Sequence, residues 1–237
     1  MLLGWPSIFL IMSLLGLLLL LLVFRDLGET KIIKKNKNTK SSASFINLFW
    51  EAKFWGYSFT LAFSAGTFFS FLGGAPYVAT KVYNLNSVVS GLVMGFPAAG
   101  YFIGNYLSGR YSKFYGIDYM ALRGILLVIF GMFTCLVITV FYRDTPYFFF
   151  GLCSFVGLGN GLIIPNASVG ILSVNENLSG TAGGIGNAIM IGTGAILASL
   201  TSYYLENQTS SSCLVFIMLL SGALSYTSLY IFVLRNK

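Results

Sequence analysis

The chain has 237 residues, of which 56% are apolar and only 9% charged, with 14 basic side chains, 7 acidic ones and no histidine. So little charge cannot solvate a folded surface in water, and 16% aromatic content does not suit disorder, so most of the chain is expected to face lipid or protein within a bilayer. Without histidine, a histidine-ligated metal, a Ser/His or Cys/His nucleophile pair and the usual general base near neutral pH are excluded.

In chain order, seven apolar stretches reach the ~20 residues that a membrane-crossing helix needs: 7–24, 54–78, 87–107, 119–142, 146–165, 178–204 and 213–234. They are too long for strands and lack period-two alternation, so an all-α polytopic membrane protein is predicted and a membrane β-barrel is disfavoured. The first stretch has no Lys or Arg before it and ends in Phe24-Arg25-Asp26 rather than in small residues, which reads as a membrane helix and not a secretory signal. Residues 25–53 include the one long polar segment, a basic linker whose Lys31, Lys34, Lys35, Lys37 and Lys40 are expected to be solvated or laid against anionic lipid headgroups. The later spans are separated by short polar punctuators at 83–86, 143–146, 173–177 and 206–212, which make neighbouring helices antiparallel.

Loops assigned alternately to two sides sort the basic residues. The side after the first helix receives Arg25, the five linker lysines, Lys53, Arg110, Lys113, Arg123, Arg235 and Lys237; the other receives Lys81 and Arg143. Twelve against two accounts for all 14 and predicts an outside N-terminus and a cytoplasmic C-terminus. The net charge of +7 is thereby read as topology, and no nucleic-acid partner is expected, because the linker has neither interleaved aromatics nor a folded scaffold.

Within the spans, Gly91 and Gly95, Gly100 and Gly104, and Gly180 and Gly184 stand four apart, the spacing that lets helix backbones approach closely. Gly157-Leu158-Gly159-Asn160-Gly161 lacks the GxGxxG spacing and preceding strand of a dinucleotide loop; with Pro165 close behind, it predicts helix packing and a kink. Cys135, Cys153 and Cys213 form no CxxC pair and predict buried small side chains rather than a metal site. All seven acids fall in loops or at helix ends, so no relay carboxylate is expected at depth. What stands at depth is Asn105, Asn160 and Asn187, with Tyr57, Phe68 and Phe69. The amides suit interhelical hydrogen bonds or substrate contact, and the aromatics suit packing or a cavity wall.

Several stretches resemble one family in order. Gly4-Trp5-x-x-Ile8-Phe9, the Leu-rich helix and Gly28-Glu29-Thr30 look like the sixth helix of a major facilitator transporter. The run from Phe68 through Gly73-Gly74-Ala75-Pro76 to Val78 is similar to the seventh helix of the bicyclomycin-resistance (Bcr/CflA) drug:proton antiporters. Gly157 to Ala167 resembles their tenth helix, and Ser179-Gly180-Thr181-Ala182-Gly183 the start of their eleventh. The stretch Gly104-x-x-Leu107-Ser108-Gly109-Arg110-x-x-Lys113-x-x-Gly116 resembles the superfamily's cytoplasmic loop motif, with Ser108-Gly109 in place of an acid. Arg110 and Lys113 there read as solvated charges or as gating contacts.

The resemblance implies twelve helices in two six-helix halves, with substrate held between them near the midplane. On that plan residues 1–24 are an orphan helix of the first bundle, 25–53 a cytoplasmic linker and 54–237 the complete second bundle. It implies an inner-membrane protein without enzymatic activity or cofactor, exporting drug-like small molecules in exchange for protons. The implied form is truncated or split, with seven helices where the resemblance implies twelve, so that activity needs a separately encoded first half or a homodimer; the implied proton-carrying acid lies in the first half of many relatives. Tyr57, Phe68, Asn160 and Asn187 are then the expected cavity wall. A non-transporting remnant and a membrane assembly or binding module are the alternatives.

Overall fold

The computed structural model describes residues 6–26, 41–142, 144–206 and 210–235. Gly4-Trp5, the five linker lysines, Gly28-Glu29-Thr30, Arg143 and Lys237 lie outside the described residues. The described chain divides into two units, Met1–Lys40 and Ser41–Lys237. The first holds one helix, α1 (Pro6–Asp26), which opens on a proline at the position where a missing N–H costs nothing and closes with Arg25 against its C-terminal dipole.

The second unit starts with a short helix, α2 (Ser41–Trp50), inside the segment expected to be linker. Leu48 of α2 is 1% exposed and the Trp55 indole N–H donates to the Phe49 carbonyl at 2.8 Å, while Ile46, Asn47, Phe49 and Trp50 are exposed. There follow α3 (Ala52–Tyr77, running on through a π-helical turn at Val78–Val82), α4 (Ser87–Met94), α5 (Phe96–Tyr115), α6 (Ile117–Phe141), α7 (Pro146–Ser173), α8 (Ser179–Leu205) and α9 (Ser212–Leu229, with a π-helical end at Tyr230–Leu234). With α4 and α5 counted as one run, seven helical spans among the described residues are long and apolar enough to cross a membrane, in the seven places predicted. The chain is an all-α polytopic membrane protein.

One boundary moves. The fifth span was expected to stop at Pro165, but α7 continues to Ser173 with the proline inside it. The proline removes the donor that the Gly161 carbonyl would have within the helix, and the neighbouring Asn166 amide donates to the Leu162 carbonyl at 2.6 Å.

The joints follow residue chemistry. After α3, Asn84 takes a left-handed conformation (φ 51°), and the Asn86 side chain caps α4 by accepting from the Val89 N–H at 2.8 Å. Gly116 alone separates α5 from α6, at φ 85° and ψ 156°, a region that residues with a Cβ scarcely enter.

Packing centres on α7, which rests on α5, α6 and α3, while α3 also carries α8 and α9. The alternating glycines of α7 divide between two neighbours. A Cβ on Gly157 would lie 1.8 Å from the Pro97 carbonyl oxygen, and one on Gly161 would lie 2.6 Å from that of Tyr101, both toward α5. On the opposite side of that contact, a Cβ on Gly100 or Gly104 would strike the Ser154 or Leu158 oxygen at 2.3 or 2.2 Å. Gly159 instead meets α6, where it and Gly124 would each strike the other's carbonyl oxygen. The other two spaced pairs differ: nothing stands within 4 Å of a Cβ on Gly91, Gly180 or Gly184, and Gly95 meets only its own turn.

The contact between α3 and α9 is polar as well as apolar. Ser221, Ser225 and Ser228 of α9 donate to the carbonyls of Phe63, Thr60 and Gly56 at 2.7, 3.1 and 3.1 Å. The outermost donors, like the outermost acceptors, stand seven residues apart in steps of three and four, on one face of each helix. Two tyrosine–aspartate bonds close the ends of the bundle. Tyr57 near the start of α3 donates to Asp118 at the start of α6 at 2.5 Å, and Tyr83, just past α3, donates to Asp144, just past α6. The same Asp144 carboxylate accepts from the Ser211 N–H at 3.1 Å at the start of α9. Burial first and this carboxylate second hold the Tyr83 phenol well above its ordinary range. Cys135 and Cys153 are buried free thiols, and Cys213 is half-buried.

Candidate functional site

A cavity of about 400 Å³ opens between four helices, lined by Ala65, Phe68 and Phe69 of α3, Ala98 and Tyr101 of α5, Asn160 and Ile164 of α7, and Met190 of α8. Because α5 rests on α7 and α8 rests on α3, α3 and α7 form its back wall and α5 and α8 its sides. Every lining residue lies near the middle of its span, so the cavity sits at mid-depth between the two ends of the bundle.

Its wall is apolar and aromatic, with one amide. Asn160 is 1% exposed and is held from α3: the Ser64 hydroxyl donates to its Oδ1, and its Nδ2 donates to Thr67 Oγ1 at 3.4 Å. Thr67 in turn donates to the Ser64 carbonyl at 2.6 Å. An amide has two N–H donors and two carbonyl lone pairs, and these bonds use one of each, which orients Asn160 from α3. No carboxylate or cation lines the space.

Two of the four expected wall residues meet here, Phe68 and Asn160. Tyr57 and Asn187 do not line this cavity. The Tyr57 ring covers Gly170 of α7, and its hydroxyl is bonded to Asp118. Asn187 is exposed and borders a separate, smaller space of about 50 Å³ beside Leu61 and Ile171. Ala65, Ala98, Tyr101, Ile164 and Met190 were missed as wall residues. Helical spacing was the available signal, since Ala65 with Phe68 and Phe69, Ala98 with Tyr101, and Asn160 with Ile164 each stand three or four apart.

The loop-motif residues play four different parts. Gly104 lets α5 reach α7, and Gly116 makes the one-residue turn into α6. Arg110 is exposed, bonded to the Tyr106 hydroxyl at 3.2 Å, and Lys113 is exposed beside it. Where the motif's acid is replaced, Ser108 is buried and accepts from the Asn166 amide at 2.8 Å, tying α5 to α7. Among the described residues no group of three His, Cys, Asp or Glu side chains could hold a metal.

A helical bundle around a mid-depth apolar cavity is the architecture of a membrane transporter. The sequence pattern of the Major Facilitator Superfamily matches residues 1–199, and the chain belongs to that family. Over 205 residues, 84% of this chain, it is 29% identical to a bicyclomycin resistance protein homolog of Haemophilus influenzae, of which the match covers 50%. Over 114 residues, 46% of the chain, it is 26% identical to YdgK, an uncharacterized transporter of this superfamily in Bacillus subtilis, of which 28% is covered. The chain thus spans at most about half the length of these curated relatives.

Proposed function

We propose that the chain forms one wall of a multidrug exporter of the bicyclomycin-resistance type, driven by proton exchange in the inner membrane. The observation that carries this is the cavity itself. Its aromatic and aliphatic lining suits drug-like molecules recognised by apolar area, with Asn160 as the polar contact that orients them. The flanking helices support a facing bundle, supplied by a separately encoded first half or by a second copy. Apolar side chains on α4, α5 and α8 stand out from the bundle (Val88, Leu92, Phe102 and Ile196 among them), and Gly91, Gly180 and Gly184 leave room for close helix approach. Because no acid lines this wall, a separately encoded first half would also supply the proton-carrying carboxylate, which a second copy of the same wall would not.

Orientation follows from charge. Lys53, Arg110, Lys113, Arg123 and Arg235 fall at the end where α3 and α6 begin, and Lys81 at the other, so the basic end is cytoplasmic. Deleting the gene in its own host, with the rest of its transport system intact, tests the reading. Accumulation of bicyclomycin and apolar dyes should rise several-fold and return to its original level on re-expression. A protonophore should abolish the difference. Unchanged accumulation, with the chain detected in the membrane, overturns the reading, and co-purification with a non-transporter would then favour an assembly module.

A further inference from the structure

A second cavity, of about 420 Å³, lies where α5 meets α6, away from the central cavity. Its rim is a ladder of side chains four residues apart that crosses the Gly116 joint without a break. Tyr111 and Tyr115 have ring centroids 6.3 Å apart, Tyr115 and Tyr119 stack at 5.6 Å, and the Arg123 guanidinium carbon lies 4.9 Å over the Tyr119 ring. Arg110 closes the other end, 5.9 Å over Tyr111. Below this rim the cavity is lined by Leu107, Met120 and Leu162.

Arg123 stands six residues into the apolar span Ile117–Phe141, about 9 Å past its start at helical rise, and it is exposed. A cation at that depth costs free energy unless it reaches the interface or finds an anion. It leans back one turn toward the helix start, over Tyr119, as a snorkelling side chain does. The ring face offsets part of the cost. No carboxylate lines the space, and the adjacent Asp118 accepts from Tyr57 of α3.

We infer that this cavity binds an anionic glycerophospholipid, with the phosphate against Arg123 and the tyrosine rim and an acyl chain along Leu107, Met120 and Leu162. An apolar floor inside a membrane span beneath a cationic, hydroxyl-bearing rim fits an anionic amphiphile better than a free phosphate. The site is independent of the transport reading.

The test is native mass spectrometry of the delipidated full chain titrated with phosphatidylglycerol, phosphatidylcholine of the same acyl chains, or glycerol phosphate. One phosphatidylglycerol should bind at least tenfold more tightly than phosphatidylcholine, and millimolar glycerol phosphate should not displace it. Arg123→Gln should bring the two lipids to equal affinity, Arg123→Lys should retain part of the preference, and Lys81→Gln, at the opposite end, should leave it unchanged. Tyr119→Leu keeps the charge while removing its support and should weaken phosphatidylglycerol several-fold. Equal binding of the two lipids by the unaltered chain, displacement by glycerol phosphate, or full preference in either the Arg123→Gln or the Tyr119→Leu protein overturns the inference.

Discussion

At the scale of the residue, glycine and tyrosine carry the sharpest consequences. The Cβ that Gly157→Ala adds would sit 1.8 Å from a backbone oxygen of α5, an atom that cannot swing aside, so the two helices must part. Overpacking of this kind costs about 1–3 kcal/mol or more, whereas Gly151→Ala, with nothing within 4 Å, should be neutral within about 0.5 kcal/mol. Thermal unfolding of the two purified variants in detergent separates these outcomes. Gly116→Ala should also destabilise, by about 1–3 kcal/mol, for a backbone reason rather than a packing one.

Tyr83 makes a pH prediction whose sign follows from its raised pKa. The proton is held more tightly in the folded chain than in the unfolded one, so the bond to Asp144 contributes in full below the ordinary tyrosine value of 10.0 and is lost as pH rises above it. Tyr83→Phe should therefore lower stability by about 1–2 kcal/mol at pH 7, and the gap from the unaltered chain should shrink in alkali. A constant gap to pH 11, measured by thermal unfolding, would contradict the assignment.

Between elements, the bond registry of α9 on α3 is the most exposed to experiment. Interhelical hydrogen bonds in membrane proteins average about 0.6 kcal/mol, so Ser225→Ala should lose that much. The triple change of Ser221, Ser225 and Ser228 to Ala should lose about 2 kcal/mol if the bonds add. Chemical denaturation of both variants gives the comparison. The same contact shows why some of the bundle could be read in advance and some could not. The GxxxG spacing of Gly100 and Gly104 was a readable sign of close approach, and α5 does meet α7 there. Gly91 with Gly95 and Gly180 with Gly184 carry the same spacing on faces that pack against nothing in this bundle, because spacing specifies a smooth helix face and not what covers it. Similarly, Pro165 marks a missing donor but does not decide where α7 stops, since the helix runs on to Ser173 with the proline inside it.

For the whole molecule, the distribution of charge is the testable property. A membrane-impermeant thiol reagent should label Lys81→Cys in intact cells, in a background carrying Cys213→Ser, and should reach Lys113→Cys only after permeabilisation. The reverse pattern would invert the topology drawn from the basic residues. The chain by itself determined the number of spans, their places and the family resemblance, because the demand for about 20 consecutive apolar residues is local and leaves its mark in a linear sequence. Only the tertiary structure decided which side chains share the cavity. Phe68 and Asn160 reach it while Tyr57 turns to Asp118 and Asn187 faces outward, since the rotation of each helix about its axis is set by the neighbours it packs against. The amide of Asn160 was visible from the start; that Ser64 and Thr67 of a helix some ninety residues earlier would hold it in place was not.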